Sequence, residues 1–136
     1  MTTSQPKTRV LVVDDDPAIC QIYEEVLRGV GYDVLTAGTC AAAMQAMDSV
    51  KADIQVLVVD LGLPDCDGGD FVRDAGVKYG GRPTMYVSGW TDEFWQLHDA
   101  PGRWLILRKP VPIKKLLAAV KWLAGGGPKP PELDEL

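Results

Sequence analysis

Several features are scarce in this 136-residue chain, and each scarcity removes a class of function. No stretch approaches the ~20 consecutive apolar residues that cross a bilayer, and the opening MTTSQPKTRV carries no apolar segment of signal-peptide length. The chain therefore reads as soluble and cytoplasmic, with no membrane contact. Basic runs are missing too. Lys and Arg number 14 against 19 Asp and Glu, a net charge of −5, so there is no footprint for a phosphate backbone and direct nucleic-acid binding is not expected. Cysteine is confined to Cys20, Cys40 and Cys66, with neither a CxxC nor a Cys/His cluster for zinc, which predicts reduced thiols. The single histidine, His98, has no kinase-like motif around it and reads as a surface residue. There is no internal repeat.

What is present is alternation. Short aliphatic runs, RVLVV (9–13), YDVLTA (32–37), QVLVV (55–59), TMYVS (84–88) and WLILR (104–108), are separated by segments of helical period. That pattern predicts βα units around a parallel sheet covered on both faces. Ile19, Ile22, Tyr23, Val26, Leu27 and Val30 form one helical stripe. A second helix is expected from Thr39, burying Ala43, Ala46, Met47 and Val50; a third over about 68–79; a short fourth over about 91–98. The last opens at Pro112 and buries Ile113, Leu116, Leu117 and Val120. After Leu123 the composition turns to AGGGPKPPELDEL, which predicts a mobile or extended tail.

In an open parallel sheet, chemistry gathers beyond the carboxyl ends of the strands. Those ends carry Asp14, Asp15 and Asp16 after the first strand, Asp60 after the third, Ser88 after the fourth and Lys109 after the fifth. Adjacent carboxylates repel by ~1 to 4 kcal/mol at 4 Å, depending on the local dielectric. A hard divalent ion such as Mg²⁺, which prefers oxygen ligands, offsets that repulsion. A carboxylate beside it is placed to act as a nucleophile towards a phosphoryl group. Asp16 stands immediately before Pro17, the natural N-cap and first helical residue, and is assigned to capping rather than to metal. Asp65, Asp67 and Asp70 are explained by turn formation and capping.

The set VLVVDDDP, VLVVDLGLPDCDG, MYVSG and RKP, in this order and at these separations, resembles the receiver domain of two-component response regulators over about residues 8–124. The resemblance implies a flavodoxin-like α/β fold, a (βα)5 three-layer sandwich with a five-stranded parallel sheet in the order 2-1-3-4-5. It implies Asp60 as phosphoryl acceptor, Asp14 and Asp15 as the acidic pair for Mg²⁺, and the backbone carbonyl of Gly62 as a further ligand. Ser88 matches the hydroxyl that contacts the phosphoryl group, and Lys109 the lysine that pairs with it. The Lys109–Pro110 peptide is commonly cis in such proteins. The expected partner is a sensor histidine kinase or histidine phosphotransfer protein, and the chain is expected to be no enzyme beyond its own phosphorylation and dephosphorylation. The domain reading is an extension over 1–7, the receiver over 8–124, and a Gly/Pro-rich flexible tail over 125–136.

One departure stands out. Relatives usually carry Tyr or Phe three residues before the Lys-Pro pair, where this chain has Ile106. Aromatics gather instead at Trp90, Phe94, Trp95 and Trp104, either as core or as a surface for a downstream partner. Trp90 is also placed to shade the phosphoryl site. No output domain follows the receiver, so the chain is expected to act alone, to relay phosphoryl groups, or to be part of a longer protein, and SGW resembles receivers attached to hybrid kinases. Two other classes compete: a Mg²⁺-dependent phosphatase with an aspartyl nucleophile, and a receiver-like module that binds without phosphorylation.

Overall fold

Each strand is a run of β-branched and aliphatic residues, and such runs are stable only when both faces are covered. In the computed structural model, which describes residues 7–89 and 103–133, five such runs pair as one parallel sheet in the order β2-β1-β3-β4-β5. The strands are β1 (Arg9–Val13), β2 (Asp33–Ala37), β3 (Val56–Asp60), β4 (Thr84–Ser88) and β5 (Trp104–Arg108). β1 pairs with β2 from Arg9↔Asp33 to Val13↔Ala37, and with the central strand β3 from Val10↔Val56 to Val13↔Val59. Alternating residues then feed two cores. Val10, Val12, Val58 and Val87 face one; Leu11, Val13, Val59 and Tyr86 face the other.

Four helices are seen among the described residues: α1 (Pro17–Gly29), α2 (Cys40–Ser49), α3 (Gly68–Tyr79) and α4 (Ile113–Gly125). Two starts follow their side chains. Asp16 caps α1, its carboxylate accepting from the Ala18 N–H at 2.9 Å with Pro17 as the first helical residue. Thr39 caps α2 through its hydroxyl, which accepts from the Ala42 N–H at 3.0 Å. The helix expected over 91–98, with His98, lies outside the described residues.

α3 starts where glycine alone fits. A Cβ on Gly68 would strike the backbone carbonyl oxygen of Asp60 and come within 2.9 Å of a Val59 methyl group. The first turn of α3 therefore rests directly on the end of β3.

Three expectations need correction. Cys40 and Cys66 are joined as a disulfide, and Cys20 alone stays free. The reason is tertiary: the start of α2 packs against the loop that follows β3, which brings residues 26 apart in sequence to a Cα separation of 6.2 Å, within the normal range for a bridge. The tail differs as well. Gly126 and Gly127, with φ of +79° and +85°, turn the chain back on itself, and a short 3₁₀ helix, Pro131–Leu133, lies against α4. Leu133 enters the core beside α4 at 2% exposure, so the packed unit extends past residue 124. Finally, Ile22 and Ile113 lie at the edges of the faces their helices bury and are 45% and 40% exposed, while Val30, 57% exposed, follows the last residue of α1.

Candidate functional site

Strand order reverses between β1 and β3, so the loops leaving their carboxyl ends part and open a crevice. Asp14 follows β1 and Asp60 ends β3, and both are nearly buried, at 3% and 5% exposure. Asp15 is exposed beside them. One oxygen from each of the three lies within 4.8 Å of the other two.

Local bonds fix the carboxylates. The Asp16 N–H donates to Asp14 Oδ1 at 2.9 Å, and the Gly62 N–H donates to Asp60 Oδ1 at 2.9 Å. Gly62 also bridges to Asp67 across the β3–α3 loop. From the end of β5, Lys109 reaches in with its Nζ 2.8 Å from Asp60 Oδ2 and 3.3 Å from Asp14 Oδ2. Ser88 ends β4 at 1% exposure, and its carbonyl accepts from the Lys109 N–H at 2.9 Å. The Lys109–Pro110 peptide is cis. The structure thus brings Asp14, Asp15, Asp60, Gly62, Ser88 and Lys109 to one end of the sheet, and turns Asp16 to its helix cap.

The charges in the crevice do not balance. Burial pushes the Asp14 carboxyl above its ordinary value; the Asp16 N–H opposes this, and the charge of Asp60 adds to it. Burial alone would lower the Lys109 ammonium, but hydrogen bonds and charges from Asp60 and Asp14 prevail and hold it above the usual lysine value. Burial, then the charge of Asp14, pushes the Tyr23 phenol up to about 12, so it stays neutral. One ammonium cannot neutralise three carboxylates. The donors are all hard oxygens with one member open to solvent, which fits a divalent cation of the Mg²⁺ type. A cavity of about 310 Å³ adjoins Asp14 and Asp15 on the α1 side.

Two features near the site have no local signal in the sequence. Asp65 leaves its own turn and caps α2, its carboxylate accepting from the Cys40 and Ala41 N–H groups at 2.8 and 3.1 Å. Those two bonds hold its carboxyl below the ordinary value. The other is an open groove of about 500 Å³ beside Lys109, lined by Ile19, Ile22, Pro110, Val111 and Ile113. Exposed edges of two apolar stripes meet there, which no single stripe reveals. Of the aromatic group, Trp104 is 36% exposed and stands edge-on to Tyr86 with ring centroids 5.9 Å apart. Trp90, Phe94 and Trp95 lie outside the described residues.

Comparison with known proteins agrees with this geometry. The sequence profile of the response regulator receiver domain matches residues 10–121. The DNA-binding response regulator MtrA of Mycolicibacterium smegmatis is 39% identical over 90 residues, covering 63% of this chain and 36% of that protein. Sensor kinase CckA of Brucella abortus is 27% identical over 113 residues, covering 82% of this chain and 12% of the kinase. The chain thus spans about a third or less of these curated relatives. Among solved structures, a CheY-like receiver domain protein from Methanospirillum hungatei superposes with a TM-score of 0.77 at 25% identity, covering 85% of this chain and 92% of that one. With the strand order, the acid crevice and the profile in agreement, the chain belongs to the response regulator receiver domain family.

Proposed function

We propose that this receiver accepts a phosphoryl group on Asp60 from the phosphohistidine of a sensor kinase or phosphotransfer protein. The observation that carries the reading is the setting of Asp60, nearly buried, with one oxygen on the Gly62 N–H and the other on Lys109. A carboxylate so held is oriented for attack before the donor arrives. An Asp60 oxygen attacks phosphorus, the P–O bond forms as the P–N bond breaks, and the bonding pair stays with the departing imidazole. Lys109 and the Ser88 hydroxyl then take charge from the phosphoryl oxygens. Asp14, Asp15, Asp60 and the Gly62 carbonyl would hold Mg²⁺, which would supply positive charge to the oxygens of the incoming group.

The groove formed by Ile22, Val111 and Ile113 opens beside Lys109, which supports a protein rather than a small molecule as the donor. The charge balance of −5 supports a protein target rather than nucleic acid. No described helix is long and apolar enough to cross a membrane, and with the family this supports action in the cytoplasm. A hydrolase that turns over phosphate esters is disfavoured, because the residue two beyond Asp60 is Gly62 and offers no acid for a leaving group.

The test is incubation with Mg²⁺ and a small acyl phosphate, followed by intact mass. One labile phosphoryl adduct is expected, absent from Asp60→Asn. No adduct, under conditions that label a control receiver, refutes the reading and favours a module that binds without phosphorylation.

A further inference from the structure

The loop that leaves Asp60 is fastened to α2 in two independent ways. Asp65 accepts two N–H bonds from the first turn of α2, and next to it Cys66 is bonded to Cys40, the first residue of that helix. The same loop carries Gly62, whose N–H orients the Asp60 carboxylate. The covalent fastening is thus six residues from the acceptor and on the same short segment.

The disulfide is not what allows the domain to fold. Both faces of the sheet carry large apolar cores, and a chain of 136 residues buries enough surface to fold without a bridge. Nor is the bridge hidden. Cys40 and Cys66 are both partly exposed, so a small thiol or disulfide can reach them. When the bridge opens, Asp65 still seats the loop by two hydrogen bonds, which leaves the loop in place but freer to move. Disulfides in reducing compartments are characteristically transient.

We propose that Cys40 and Cys66 are a reversible redox site whose closure rigidifies the β3–α3 loop and thereby raises the phosphoryl-accepting rate of Asp60. Closure by a low-molecular-weight disulfide balances as two protein thiols plus RSSR giving the protein disulfide plus two RSH: the cysteines are oxidised, the reagent is reduced, and the two thiol protons leave with the two RSH. Opening is the reverse, driven by excess thiol. A loop already held in its working geometry loses less freedom when the site is loaded. This regulation rests on the phosphoacceptor reading of Asp60.

The experiment equilibrates the full chain in oxidised or reduced glutathione and reads three quantities. Alkylation followed by intact mass is expected to add one group to the oxidised chain, at Cys20, and three to the reduced chain. Amide hydrogen exchange over residues 61–67 is expected to quicken at least tenfold on reduction. Labelling by an acyl phosphate with Mg²⁺ is expected to slow at least threefold on reduction, and Cys40→Ser and Cys66→Ser are expected to label at the reduced rate in either buffer. Three alkylations in both buffers, counted after denaturation with a chelator so that any Zn²⁺ held by the two thiols and Asp65 is released, overturn the pairing. A pairing that forms while exchange and labelling stay unchanged overturns the control and leaves Asp60 as acceptor. No labelling in either buffer overturns the acceptor reading and its control together, and the alkylation count distinguishes that failure from the others.

Discussion

The two ends of the sheet treat charge in opposite ways. At the amino ends, Arg9 bonds Asp33 at 2.7 Å and lies 3.6 Å from an Asp53 carboxylate oxygen. Arg82 there gives its N–H groups to the carbonyls of Ile54, Ala52, Tyr79, Gly80 and Gly81. Each of these charges is satisfied by the fold itself. At the carboxyl ends, Asp14 and Asp60 share Lys109 with Asp15 exposed beside them, and burial pushes the Asp14 carboxyl upward, the charge of Asp60 adding to it. The first arrangement completes the structure; the second leaves an excess of negative charge of the kind that a divalent cation offsets. An excess of buried charge distinguishes a site from an architectural ion pair.

That contrast can be broken from either end. Asp60→Asn should abolish acyl-phosphate labelling, read by intact mass, while circular dichroism shows the fold retained. Lys109→Met should lower the labelling rate by ~10²- to 10³-fold, the usual cost of removing one charge stabiliser, with the adduct still on Asp60. Mg²⁺ at about 100 times its dissociation constant should stabilise the chain by ~2.7 kcal/mol, seen as a rise in melting temperature that Asp15→Asn reduces. At the other end, Arg82→Ala leaves several carbonyls without their donor and should cost ~2 kcal/mol in urea unfolding, yet the folded fraction should label at the normal rate.

The smallest effect tests pH. The Arg9 hydrogen bond holds the Asp33 carboxyl below its ordinary value, so the pair stabilises the fold above the unfolded value of 3.8 and that stability is lost as pH falls through the lowered one. Asp33 is partly exposed and screened, so Asp33→Asn should cost only ~0.5 kcal/mol at pH 7, and the difference from wild type should vanish in acid.

Much of this was legible because it is local. RVLVV and its counterparts are strands by composition, Asp16-Pro17 is a cap by adjacency, and Asp14, Asp60, Ser88 and Lys109 are strand-end residues by position. What was not legible depends on the packing of distant segments. Nothing within 26 residues of sequence tells Cys40 that it will meet Cys66, and the cap that Asp65 provides for α2 belongs to the same encounter. Leu133 is buried because Gly126 and Gly127 reverse the chain, whereas composition alone sees only a Gly/Pro-rich stretch. Ile22 and Ile113 fall on proper helical stripes, but whether the edge of a stripe is covered is decided by the neighbouring element.

The seat of Gly68 on the carbonyl of Asp60 carries a lesson for genetics. Any side chain at position 68 has to displace either α3 or the end of β3, so substitution of Gly68 should disturb Asp60 although glycine bears no functional group. Such variants would keep the Asp60 carboxylate and lose its setting. They are open to repair by second-site changes that restore the spacing between α3 and β3, whereas no second-site change can restore a missing carboxylate.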